Sequence, residues 1–218
     1  GITVQIDKTK TDKKFTEQQL SITSQDSNVK SSMPVELSYT NTKFRNKEEK
    51  CAAFGVTQDL DRIISIRLLH GRLLTSSDIK QNAKVCVIDE SFAKILYGRT
   101  NIVGKEISFQ IQNKYQPYKV VGVSSGGNLL QGALGSYIPA ISYLPITALQ
   151  DGAGYNSLMI RLKDSSQSDS TATRITGKLN ASLGVTNAIT VQNMAAQKEQ
   201  LSGVMVKVTW LLSVIAAI

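Results

Sequence analysis

Ile2, Val4 and Ile6 alternate with polar neighbours, the period of a strand with one buried face. A lysine-rich turn follows, and residues 15–22 predict a short helix. Residues 33–44 (MPVELSYTNTKF) and 51–56 (CAAFGV) predict two strands joined by the polar hairpin RNKEEK. The apolar period then lengthens. Leu60, Ile63, Ile64 and Leu68 fall on about one face of a helix that Asp59 caps, that runs through Leu69, and that Gly71 ends.

Beyond it, residues 75–78 predict a short turn, residues 85–88 a compact strand, and residues 90–96 (ESFAKIL) a helix stopped by Gly98. Residues 107–111 and 118–123 predict strands around NKYQP, a turn containing proline. The glycine-rich run at 124–136 (SSGGNLLQGALGS) predicts a mobile loop. An extended segment at 137–144 leads to Pro145, which suits the first position of a short helix over ITALQ. Residues 156–162 predict a strand, 165–170 a polar turn, and about 170–183 a helix that Gly184 stops. Residues 189–192 give one more strand, and from about Asn193 a helix continues into the apolar end. Strands and helices are mixed, with antiparallel hairpins among them, so the fold class is α+β.

The end of the chain changes the picture. In LSGVMVKVTWLLSVIAAI, Lys207 is the only charge and residues 208–218 carry none. The run is shorter than the roughly 20 residues a bilayer crossing takes. An ordinary amphipathic helix keeps a polar face, whereas after Thr209 only Ser213 interrupts the apolar residues. Trp210 lies where aromatic residues of membrane helices meet the interface. The segment 201–218 therefore reads as the start of a truncated transmembrane helix; a buried terminal helix is the other reading.

With 218 residues, 41% hydrophobic and 19% charged, the chain has enough apolar material for a packed core and is not disordered. The net charge of +8 comes mainly from scattered lysines, without the clustered arginines and stacking aromatics that nucleic acid requires. A solvated basic surface accounts for it, and an anionic membrane surface fits the same charge.

Candidate chemistry narrows the reading further. Cys51 and Cys86 lack metal-site spacing, and His70 stands alone, so no metal site is indicated. Both cysteines fall in apolar strand-like runs and read as small buried hydrophobes; a disulfide between them stays open. His70 reads as structural or surface. GRTNIVGKE at 98–106 resembles a phosphate-binding loop only loosely: five residues separate Gly98 from Gly104, Glu106 replaces the magnesium-binding hydroxyl, and a strand follows instead of a helix. G-x-S-x-G is absent. Asp59 with Asp61, or Asp89 with Glu90, offer carboxylate pairs, but Asp89 and Glu90 fit better as the start of the next helix. The loop after KVVGV lacks the helix and acidic residue of a dinucleotide fingerprint. No catalytic, cofactor-binding or metal-binding residues are assigned, and no cofactor is indicated.

The order of several short motifs carries more information. Gly55-Val-Thr57, Leu69-His-Gly71-Arg72-Leu-Leu, Asp78, Val85-Cys-Val-Ile88, Ser91-Phe-Ala93-Lys94-Ile-Leu96-Tyr97-Gly98, Ile102-Val-Gly104-Lys105-Glu-Ile107 and Tyr118-Lys-Val-Val-Gly122-Val123 follow one another in the middle of the chain. In this series the chain resembles the extracytoplasmic core domain of MacB-like, FtsX-like ABC transporter permeases, with Tyr97 in place of a commoner phenylalanine. The resemblance implies two lobes: a porter-like lobe from residues 1–67 and 124–200, and a smaller strand-rich lobe, residues 68–123, inserted between. It implies a domain on the extracytoplasmic side of the cell membrane, anchored by flanking helices, that couples ATP-driven helix movement to export or extraction of substrates. It implies as partners an ABC ATPase subunit or domain, which would bind the ATP, and a second permease copy in a homodimer or heterodimer, with no nucleic acid. Gly98 and Gly104 then serve the backbone, one stopping a helix and the other turning into a strand. The alternative reading is a membrane-anchored surface module for ligand binding or adhesion.

Overall fold

A computed structural model describes residues 1–125 and 140–193. Among them the chain runs β1 (Ile2–Ile6), α1 (Glu17–Ser24), β2 (Val29–Phe44), β3 (Lys47–Val56), α2 (Leu60–Ile63), β4 (Leu68–Gly71), α3 (Ser76–Lys80), β5 (Val85–Asp89) and α4 (Glu90–Tyr97). It continues β6 (Glu106–Ile111), β7 (Lys114–Ser124), β8 (Ile141–Pro145), α5 (Ile146–Leu149), β9 (Ser157–Leu162), α6 (Ser168–Leu183) and β10 (Ile189–Asn193). The mixed α+β class predicted from the sequence is what these elements form. Of the loop predicted over 124–136, Ser124 instead ends β7 and residues 126–136 lie outside the described residues; of the helix predicted from about Asn193, Asn193 ends β10 and the rest, with the apolar run 201–218, lies outside them too.

The strands join into a sheet of order β10-β1-β9-β2-β3-β8-β5-β7-β4, with β6 pairing β7 and the far end of β2. Strand β2 links its two parts. Its first half pairs antiparallel with β9 from Val29 to Val35, and its second half pairs with β3 from Glu36 to Phe44. Among the described residues only β3–β8 and β5–β7 pair parallel.

Both long hairpins are tighter than the sequence predicted. Phe44 pairs with Lys47, so Arg45 and Asn46 alone make the β2–β3 turn, and KEEK belongs to β3. Ile111 pairs with Lys114; Gln112 and Asn113 turn the chain with both φ angles positive (50° and 63°), as a two-residue primed turn requires. Pro117 is therefore inside β7, opposite Ser108, where the β5 ladder has not yet begun and the strand tolerates a residue without an N–H.

The predicted helix from Asp59 to Leu69 is a single turn. Ile64 is already extended (φ −116°, ψ 150°), Asp59 makes no side-chain cap bond, and Leu68–Gly71 is strand β4 against β7. Tertiary pairing overrides the helical period here. Gly71 does not end a helix; it faces Gly122 across the β4–β7 ladder. A Cβ on Gly122 would lie 2.2 Å from the Arg72 carbonyl oxygen, and one on Gly71 2.1 Å from that of Val121. The two backbones approach too closely for any side chain. Conversely, residues 75–80 are not only a turn: Thr75 and Asp78 form a reciprocal capping box that starts α3.

Three apolar clusters fill the interior. Ile175, Leu179 and Leu183, four residues apart on α6, cover Ile2, Val4, Ile6, Leu158 and Ile160 of β1 and β9. Phe92, Ala93 and Leu96 of α4 pack with Ile88, Ile107, Phe109, Tyr118 and Val123. A third cluster joins α2 to β3 and β8 through Leu60, Ile63, Phe54, Val56 and Tyr143. Each such large side chain contributes about 1.5–3 kcal/mol through burial. Polar ties fix α6 to the start of β2: Arg174 donates to both oxygens of the buried Asp26 at 3.0 and 3.1 Å, and Asn28 Nδ2 donates to Thr171 Oγ1 at 2.9 Å.

Candidate functional site

The residues singled out by chemistry are placed as parts of the scaffold. Asp89, fully buried, ends β5 and caps α4: one carboxylate oxygen accepts the Phe92 N–H at 2.7 Å, the other the Ile141 N–H at 2.8 Å. Its pKa is raised because burial outweighs those backbone donors. It thus ties helix α4 to the first residue of β8. Glu90 follows in the first turn of α4 and pairs with Lys94 at 2.9 Å. Asp59 pairs instead with Arg62 at 3.0 Å, while Asp61 is exposed on α2. The carboxylate pairs read from the sequence do not converge on any shared centre.

Cys51 and Cys86 are free and buried, as small hydrophobes of the same core cluster. Cys51 donates to Ser142 Oγ at 3.1 Å. Burial pushes the Cys51 thiol up to about 12 and the Cys86 thiol higher still. His70 is half-buried on β4, its Nε2 3.1 Å from Thr100 Oγ1. Among the described residues no three His, Cys, Asp or Glu side chains gather where they could hold a metal ion.

Gly98 and Gly104 take the backbone positions expected of them. Gly98 is left-handed (φ 70°) and its N–H returns to the Lys94 carbonyl, ending α4. Gly104 (φ 87°) turns the chain toward β6 and donates to Val120 O at 2.8 Å.

Two arrangements were not readable in advance. First, β1 and β10 pair antiparallel with Ile2 opposite Asn193 and Ile6 opposite Ile189, so the two ends of the described chain lie side by side. Second, the β2–β3 turn, the end of α4 and the turn before β6 enclose an open cavity of about 340 Å³, lined by Phe44, Arg45, Leu96, Tyr97, Arg99 and Lys105. Arg99 and Lys105 belong to the stretch that superficially resembled a phosphate loop. Arg45 arrives from a distant hairpin, and no sequence spacing announces that meeting.

Comparison with known proteins places this scaffold. The profile of the family described as MacB-like periplasmic core domain matches residues 2–178. A macrolide export ATP-binding/permease protein MacB of Aggregatibacter actinomycetemcomitans is 30% identical over 114 residues, which is 51% of this chain and 17% of that protein. The MacB of Neisseria meningitidis serogroup A is 26% identical over 167 residues, 75% of this chain and 25% of that protein. The chain thus spans at most about a quarter of these relatives. The crystal structure of the periplasmic region of MacB from Actinobacillus actinomycetemcomitans aligns with a TM-score of 0.67 at 21% identity, covering 92% of each chain. The extracellular domain of the noncanonic ABC-type transporter YknZ from Gram-positive bacteria aligns with a TM-score of 0.66 at 19% identity, over 88% of this chain and 99% of that one. At those identities the structures speak for the fold, and the profile for the kinship. With the profile matching residues 2–178, this chain belongs to the MacB-like periplasmic core domain family.

Proposed function

We propose that the chain is the extracytoplasmic domain of an ABC transporter permease subunit, held between two membrane helices and relaying their ATP-driven movement to cargo at the outer face. The observation that carries this reading is the pairing of Ile2 with Asn193. Chain ends that lie side by side suit a body inserted between neighbouring helices. A ladder of five residue pairs clamps them, so a shift in either helix is passed to the sheet as a rigid-body movement. The family match over residues 2–178 favours this over a surface adhesion module.

In this reading residues 1–67 and 124–200 form the porter-like lobe, residues 68–123 the inserted strand-rich lobe, and residues 201–218 the start of a membrane helix. ATP is bound by a separate nucleotide-binding domain or subunit, and the permease works as a homodimer or heterodimer. The names of the relatives make macrolides the first cargo to assay.

Two experiments test the reading. In the full-length protein, Lys30→Cys at an exposed position of β2 should react with a membrane-impermeant maleimide applied to intact cells or spheroplasts, above the labelling of the unsubstituted protein, to which buried Cys51 and Cys86 add nothing. Labelling only after lysis would contradict the placement. A flexible glycine linker inserted near Gly203 should abolish ATP-driven efflux while leaving the protein in the membrane; unchanged efflux would argue against coupling.

A further inference from the structure

The cavity beside the end of α4 combines positive charge with an aromatic wall. Phe44 and Tyr97 stack with ring centroids 3.9 Å apart, and the Arg45 guanidinium lies over the Phe44 ring at 5.1 Å. Tyr97 is fixed by its hydroxyl, which donates to the Glu106 carbonyl oxygen at 3.0 Å. Arg45, Arg99 and Lys105 are all exposed, and among the described residues none of the three is in an ion pair. Three such cations around one concavity raise the local positive potential, which attracts an anion.

The helix end does not account for them. The negative end of α4 attracts one cation, and Lys47 fills that role by donating to the Ile95 carbonyl at 3.1 Å. Glu106 is not among the residues that line the cavity, whose charged lining is Arg45, Arg99 and Lys105. The cavity keeps an excess of positive charge. The backbone also holds the arrangement in place. Arg45 sits at φ 53° in a two-residue turn, and Arg99 and Lys105 directly follow the left-handed Gly98 and Gly104.

We propose that this cavity binds a small organic oxyanion, a phosphate or carboxylate attached to an aromatic or aliphatic body. The oxyanion would lie between the Arg45 and Arg99 guanidiniums with Lys105 alongside, and its apolar body against the Phe44–Tyr97 pair. Guanidiniums offer paired donors that match both oxyanions. The volume of about 340 Å³ falls within the range of small-molecule sites. The site is independent of the transport reading, because it rests on the cavity alone.

The test is a titration of the 218-residue chain with phenyl phosphate, followed by NMR of backbone and arginine side-chain N–H signals. Saturable shifts should centre on Arg45, Tyr97, Arg99 and Lys105. The Arg45→Gln/Arg99→Gln variant should bind at least tenfold more weakly while unfolding at the same temperature. Inorganic phosphate, lacking the ring, should bind several-fold more weakly than phenyl phosphate. The proposal is overturned if the variant binds like the parent, if shifts spread evenly over Lys8, Lys10 and Lys114, or if inorganic and phenyl phosphate bind alike.

Discussion

Ile2 and Asn193 face each other across the antiparallel ladder of β1 and β10, and the same register carries on to Ile6 and Ile189. Beneath that ladder α6 presents Ile175, Leu179 and Leu183 to Ile2, Val4 and Ile6, so both ends of the described chain rest on one apolar cluster. The clamp is therefore part of the core.

Gly122 of the β4–β7 ladder is required sterically, whereas Gly98 is required conformationally. A methyl group at Gly122 meets the Arg72 carbonyl oxygen at 2.2 Å, while one at Gly98 meets nothing within 4 Å. Gly122→Ala should destabilise by about 2–3 kcal/mol through overpacking, and Gly98→Ala by only about 1–2 kcal/mol for its left-handed backbone. Urea denaturation of the two variants checks the order.

Asp89 holds two backbone donors from elements far apart in sequence. Asp89→Ala removes the cap of α4 and leaves the Ile141 N–H unpaired, a loss of about 2–4 kcal/mol. Hydrogen exchange should speed up both at Phe92 and at Ile141. Exchange that changes at Phe92 alone would contradict the bridging role.

These two examples mark what the sequence could and could not disclose. The ESFAKILY helix, with Asp89 before it and Gly98 after it, was legible because its period and both its caps are local. So were β1, β9, β10 and the stop at Gly184. The extent of α2 was not, since Leu68 and Leu69 fit a helix until β7 supplies a strand partner that no local pattern reveals. The lengths of both hairpins were misjudged because charged residues such as Lys47 and Glu48 read as turn although an exposed strand accepts them. The cavity was invisible for a similar reason: Arg45 meets Arg99 only after β2 pairs with β6 and α4 packs on β5.

The Arg72–Asp78 pair sets an acid limit. Arg72 donates to both Asp78 oxygens at 2.6 and 3.1 Å, and these bonds hold the nearly buried carboxylate down to about 2, below the ordinary 3.8. A depressed carboxylate contributes stability that is complete above its unfolded value and is lost as pH falls toward its folded one. The chain should therefore lose stability between about pH 4 and pH 2, and Asp78→Asn should be less stable at neutral pH and flatter across that window. Asp89, shifted upward by burial, acts in the opposite sense, favouring the fold at low pH and losing that contribution as pH rises. Thermal melts at stepped pH separate the two through the single variants.

Cys51 and Cys86 should be inert in the folded chain. Both are buried, with the Cys51 thiol pushed up to about 12. A thiol reagent should find neither under native conditions at pH 7 and both after denaturation. Finding neither after denaturation without reductant would instead mean that they are oxidised.

With Cys51 and Cys86 silent, the domain itself adds no background to the most direct test of the clamp. Gln5 and Thr190 are exposed partners in the β1–β10 ladder, and Gln5→Cys/Thr190→Cys in the full-length protein allows the two ends to be locked by oxidation. If, as proposed, the domain moves as one body with both ends fixed together, any ATP-driven efflux by the full-length protein should be the same in the locked and the reduced form. Efflux that stops on oxidation and returns with reductant would mean that the two strands must part during transport, contradicting the account.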